Sequence, residues 1–199
     1  MAILAVTIYG WAGGWLRQLP HFWFAAFIVL LGGQLDARAQ ADVSKEYQIK
    51  AVFLFNFTQF VNWPPSDFIN TNQSFCIGVL GDDPFGSFLD ETVQGEKVNG
   101  HPLIIQHYHN VADIKNCQLL FISRSESKQL DQTLATLKGK SVLTVSDMDD
   151  FAQNGGIIGF VTEEDKIHFR INLDAAKNAN LTISSQLLQL AEIVKPGEN

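Results

Sequence analysis

Cysteine is scarce in this chain. Two cysteines in 199 residues exclude a disulfide scaffold and leave room for one bridge. Proline numbers only 6 against 15 phenylalanines, and no tract is biased, which excludes a disordered or low-complexity chain. Basic residues number 14 against 21 acidic ones, a net charge of −7. No Lys/Arg cluster offsets that deficit, so nucleic acid is not an expected partner. No apolar run reaches the roughly 20 residues of a bilayer-spanning helix. The chain has no G-x-S-x-G elbow, no H-E-x-x-H and no Cys/His signature, so neither catalysis nor a metal centre has an anchor in it. What is present is 46% apolar and 18% charged residues, enough for one domain with a sizeable core.

The first forty residues differ from the rest. Phe22 to Leu31 is an apolar run of ten, preceded by Arg17 and followed by Ala37-Arg38-Ala39. Small residues stand where a signal peptidase reads, so residues 1–39 have the layout of a secretory signal peptide with cleavage between Ala39 and Gln40. A retained membrane anchor is the alternative, although Gly10, Gly13, Gly14, Arg17 and Pro20 break the segment into short pieces. Arg17, Arg38 and Asp36 leave with the signal, which moves the net charge of residues 40–199 to −8. Such an acidic exported domain does not suit DNA or an anionic membrane surface.

Ser44 to Trp63 reads as a helix capped by Ser44 and ended by Pro64-Pro65. Ile49, Val52, Phe53, Phe57, Phe60 and Val61 fall on one stripe, read as core or as a dimer or partner groove. Four strands are read next: the short apolar run Phe75–Gly81, then Leu103–Tyr108, Gln118–Ile122 and Ser141–Val145. Between them, Asp82-Asp83-Pro84 predicts a helix over about 85–93, and the S-x-x-E spacing of Ser123 and Glu126 a helix through Leu137. Ser146 and Asp149 open a short helix near Phe151. Ile157–Thr162 and Lys166–Ile171 form a hairpin, and Leu173–Ala179 and Ser184–Val194 are C-terminal helices. Alternating strands and helices predict an α/β fold: a single three-layer domain, residues 40–199, with helices on both faces of a largely parallel sheet that ends in an antiparallel hairpin.

The candidate sites are few. Gly81-Asp-Asp-Pro-Phe-Gly86 follows a strand but is neither G-x-G-x-x-G nor a P-loop, so helix capping is the better reading. His107 and His109 would share a strand face, but nothing local completes a metal site, and no metal or cofactor is expected. A pocket near Asp82 and Ser123, at the carboxyl ends of the strands, would mark a small-ligand binding protein. Cys76 and Cys117 stand at the starts of two strands; if these are parallel neighbours, the sulfurs share one sheet edge and a disulfide is expected. Lys166, His168 and Arg170 alternate with Ile167, Phe169 and Ile171. Period two puts the three basic or titratable side chains on one face. They form either a solvated face or a contact for a carboxylate-bearing partner.

The block Lys50-Ala-Val-Phe-Leu-Phe-Asn-Phe-Thr-Gln-Phe-Val-Asn-Trp-Pro64 resembles the opening helix of the YfiR-like family. Phe75–Phe85, Cys117–Ser123, Gly155–Phe160, Phe169–Asp174 and Ile183–Leu188 resemble its later blocks, in order, from about Glu46 to Ile193. Some relatives carry a second cysteine pair before the hairpin; this chain has none there. The resemblance implies a periplasmic protein without enzymatic activity. It further implies repression of an inner-membrane diguanylate cyclase, through binding of its sensor domain, with cyclic-di-GMP and biofilm as the output. A sensor kinase is the other implied partner class, and an outer-membrane lipoprotein the implied antagonist.

Overall fold

The computed structural model describes residues 45–68, 73–164, 166–195 and 197. The expected cleavage site at Ala39 and Gln40 and the Ser44 cap lie outside them. The elements in order are helix α1 (45–60), β1 (Val61–Asn62), β2 (Phe75–Leu80), α2 (Ser87–Val93), β3 (Lys97–Val98), β4 (His101–Tyr108), β5 (Leu119–Ile122) and α3 (Leu130–Leu137). Then follow β6 (Leu143–Ser146), β7 (Ile158–Glu163), β8 (Lys166–Asn172), α4 (Leu173–Asn178), β9 (Thr182–Ile183), α5 (Ser185–Leu188) and β10 (Glu192–Val194).

Eight strands form one sheet in the order β10-β8-β7-β6-β5-β2-β4-β3, and β1 pairs with β9 in a second, two-stranded sheet. From β4 to β7 across the sheet, neighbouring strands are parallel. Every residue of β2, β5 and β6 is buried. Burial on both faces is why β2 and β5 read as continuous apolar runs rather than alternating ones. One face carries Ile77, Val79, Leu119, Phe121 and Val145 and is covered by α1, α2, α4 and α5. The other carries Cys76, Leu80, Leu120 and Ile122 and is covered by α3. The fold is the expected three-layer α/β arrangement, and the expected hairpin β7–β8 is antiparallel, with Val161 opposite His168 and Glu163, expected in the connection, paired with Lys166.

Four local expectations are corrected. The stripe assigned to α1 is rotated: Lys50, Ala51, Leu54, Phe57 and Thr58 are buried, while Ile49 and Val52 are exposed. The helix after β2 begins at Ser87 rather than Phe85, because the Asp83 carboxylate accepts from the Phe85 amide (2.8 Å) in a turn of its own. Ser123 makes no capping bond, and a 3-10 segment, Arg124–Gln129, leads into α3 instead. Ser146 opens no helix: its hydroxyl donates to the Ile122 carbonyl (2.7 Å) and accepts from the Met148 amide (3.1 Å), holding a turn. In addition, the last expected helix stops after Leu188. The chain then re-enters the sheet as β10, parallel to β8, where Glu192 meets Arg170.

Candidate functional site

The order of the parallel strands reverses between β2 and β5, so a crevice is expected outside their carboxyl ends. Here the chain closes it. Gly81 has φ +87°, and an added Cβ would collide with Ser125 and Glu126. Ser125 Oγ accepts from the Asp82 amide at 2.9 Å. The pocket expected near Asp82 and Ser123 is therefore filled by the protein's own side chains.

An open cleft of about 370 Å³ lies one strand further along, above the end of β6. Asp147 is the first residue after β6 and is 3% exposed. Its Oδ2 accepts from the Lys50 ammonium of α1 (2.7 Å) and from the Tyr47 hydroxyl (2.8 Å). Lys50, 1% exposed, also meets Glu46 one turn earlier at 2.6 Å. Arg124, just past β5, donates to the Asp147 carbonyl oxygen at 2.6 Å. Burial opposes ionisation of Asp147 and Glu46, but Lys50 prevails and holds both carboxyls below their ordinary values. Burial, reinforced by the Asp147 carboxylate, pushes the Tyr47 hydroxyl up. The cluster ties the first helix to the carboxyl edge of the sheet. The sequence offers one signal for it, a lysine inside a largely apolar helix face.

The Lys166–His168–Arg170 stripe is where the alternation places it. Lys166 and His168 are exposed, while Phe169 and Ile171 are buried. Arg170 is engaged within the protein, with Glu192 at 2.8 Å and Asp150 at 3.7 Å. The hydrogen bond that Arg170 Nε donates to the Glu192 carboxylate is the main influence raising its guanidinium above its ordinary value. His168 and Arg170 border a second hollow, of about 210 Å³, with Val161, Glu163 and Leu190. Leu190 is 72% exposed, an apolar residue in charged surroundings that no motif in the sequence marks.

Cys76 and Cys117 sit in the same core, and the structure holds both as buried thiols. Cys117 Sγ lies 3.8 Å from the Cys76 carbonyl oxygen. Gly78 makes the approach possible, because a Cβ there would stand 2.8 Å from Cys117 Sγ. The Cys117 thiol is the main influence holding Cys76 below the usual thiol range, and burial pushes Cys117 above it. His107 faces Asp83 at 3.1 Å. Among the described residues, no three His, Cys, Asp or Glu side chains gather to hold a metal.

The YfiR/HmsC-like family model (DUF4154) matches residues 47–192. The chain belongs to this family. No curated protein matches it. The matched span covers the cysteine pair, the stripe and all of the cluster except Glu46. YfiR/HmsC-like proteins are periplasmic, non-catalytic regulators of cyclic-di-GMP signalling that work with membrane signalling proteins.

Proposed function

We propose that this YfiR/HmsC-like protein is exported, released by cleavage between Ala39 and Gln40, and represses an inner-membrane diguanylate cyclase by binding its periplasmic sensor domain. The family match over residues 47–192 carries this reading. Repression requires preferential binding of the receptor's inactive conformation. Moving such a receptor from mostly active to mostly inactive takes about 5 kcal/mol of differential affinity. A sensor kinase is the second candidate receptor, and an outer-membrane lipoprotein that sequesters the repressor would relieve it. The decisive experiment is a pull-down from solubilised membranes with the purified protein as bait. A cyclase or kinase sensor domain recovered in stoichiometric amount supports the reading. Recovery of a solute transporter instead favours a small-ligand binding protein, the reading that the cleft above β6 supports.

The docking surface in this proposal is the hollow beside the stripe. Leu190 supplies exposed apolar area, and Lys166 and His168 supply exposed polar and basic groups. Lys166→Glu together with His168→Glu should leave the circular dichroism spectrum unchanged, because both side chains are exposed. The double variant should weaken receptor binding about tenfold, or 1.4 kcal/mol. Arg170→Glu should weaken binding as well. It also sets a carboxylate against Glu192 and Asp150, so its folding is compared first. Unchanged receptor affinity in the folded double variant makes the stripe plain solvated surface.

The exported protein is further proposed to oxidise Cys76 and Cys117 to one disulfide. Their strands are parallel neighbours, with Ile77 opposite Leu119, and both thiols already face the same core. On the chain-entropy account, closing a loop of this length stabilises by roughly 4 kcal/mol. Non-reducing mass spectrometry of periplasmic protein should recover the two cysteine peptides joined. Recovery of both as free thiols removes the disulfide.

A further inference from the structure

The cleft above β6 has an uneven set of polar groups. Its carboxylates, Glu46, Asp147, Asp149 and Asp150, outnumber its cations, Lys50, Arg124 and Arg170. Lys50 is already held by Glu46 and by Asp147 Oδ2. Asp147 Oδ1 is different. It is buried and accepts no hydrogen bond, although Arg124 Nε stands 3.4 Å away in an ion pair. A buried carboxylate oxygen without a donor is costly, and Arg124, whose side chain is 60% exposed, meets that need only in part. At the mouth, Asp149 is 95% exposed and Asp150 53% exposed. Phe160 and Val161 add apolar surface to the lining. The volume falls in the lower part of the range of small-molecule sites, and it lies outside the carboxyl ends of parallel strands, where such sites recur.

We propose that this cleft binds a small organic cation bearing a guanidinium or primary ammonium group. The headgroup donates to Asp147 Oδ1 and to the carboxylates of Asp149 and Asp150, and an aliphatic chain lies against Phe160 and Val161. Arg124 is then the internal competitor, since its guanidinium faces the oxygen that the ligand takes. The inference rests on the small-ligand reading of the cleft and not on the docking reading. It is tested on the purified protein without any receptor, so the two fail separately.

The test is calorimetric titration at low salt with agmatine, putrescine, the anion glutarate and the capped tripeptide acetyl-Gly-Arg-Gly-amide. Agmatine or putrescine should bind with one-to-one saturation and weaken as salt is added. Arg124→Gln removes the competitor and should tighten agmatine binding about fivefold, whereas an anion held by Arg124 would be lost in the same variant. Asp149→Asn with Asp150→Asn should weaken agmatine about tenfold, and both side chains are exposed enough to leave the fold intact. No heat from either free cation overturns the proposal. So does binding of glutarate alone, or agmatine affinity that is unchanged or lower in Arg124→Gln. Binding of the tripeptide without agmatine places the cation on a protein side chain and overturns the free-ligand assignment.

Discussion

Asp147→Ala is expected to destabilise the protein by about 3–5 kcal/mol, read from the urea midpoint, because it leaves a buried ammonium without its main counter-charge. Lys50 is 1% exposed and would keep only Glu46, whose side chain is 30% exposed. Tyr47 loses its acceptor in the same step, and Arg124 loses an ion-pair partner. Lys50→Met combined with Asp147→Leu removes both charges and should recover most of the loss, since an apolar pair of similar volume carries no desolvation cost. Near-wild-type stability of Asp147→Ala would mean that Glu46 alone satisfies Lys50. Acid should act through the same groups. Asp147 and Glu46 have ordinary values of 3.8 and 4.5, and both are lowered in the folded protein. Groups with depressed folded values stabilise above their unfolded values and lose that contribution as pH falls through the folded ones. Wild-type stability should therefore decline as pH falls below about 4.5, and the double variant, which lacks the Lys50–Asp147 pair, should show a shallower decline over the same range.

The architecture was legible because central strands buried on both faces leave a plain signature. Phe75–Leu80 and Leu119–Ile122 are short apolar runs between turn residues, and each forms a central strand. The hairpin was legible because β8 shows one face to solvent and alternates accordingly. Local rules failed where tertiary partners claimed the capping side chains. Ser125 bonds the Asp82 amide across the sheet edge, and the expected capping box at Ser123 gives way to a 3-10 turn. Ser146 bonds the Ile122 carbonyl on the neighbouring strand instead of starting a helix. β10 was hidden because its pairing with β8 is a long-range event, anchored by Arg170 and Glu192, and leaves little trace in a three-residue segment.

The site was less legible than the fold. The stripe of Lys166, His168 and Arg170 came from period two alone, and the geometry follows it. That Arg170 already has two acidic partners is not something spacing reveals. A cleft is expected from the sequence near Asp82 and Ser123, at the carboxyl ends of the strands. It opens one strand away, because Gly81 lets Ser125 and Glu126 fold over the first position. Lys50 and Asp147 are 97 residues apart, and only the fold shows that they meet.

Phe57→Ala should cost about 3–5 kcal/mol and reduce the yield of folded protein, because it empties the centre of an aromatic cluster. Phe57 is 0% exposed. Its ring lies 5.3 Å from Phe169 in an edge-on contact, 5.7 Å from Phe160 and 6.1 Å from Phe53. These rings come from α1, β7 and β8, so the cavity would open between the helix and the hairpin, where no single element can collapse to fill it. Each lost aromatic contact adds about 0.5–1.5 kcal/mol to the area term. Val52, on the same helix but 48% exposed, provides the comparison. Val52→Ala should change stability by no more than about 0.5 kcal/mol. A dimer seated on the outer face of α1 would instead be weakened by Val52→Ala with the fold intact, which sedimentation velocity detects. A folded Phe57→Ala with a wild-type urea midpoint would contradict the core role of Phe57, because a ring enclosed on three sides cannot be removed without loss of packing.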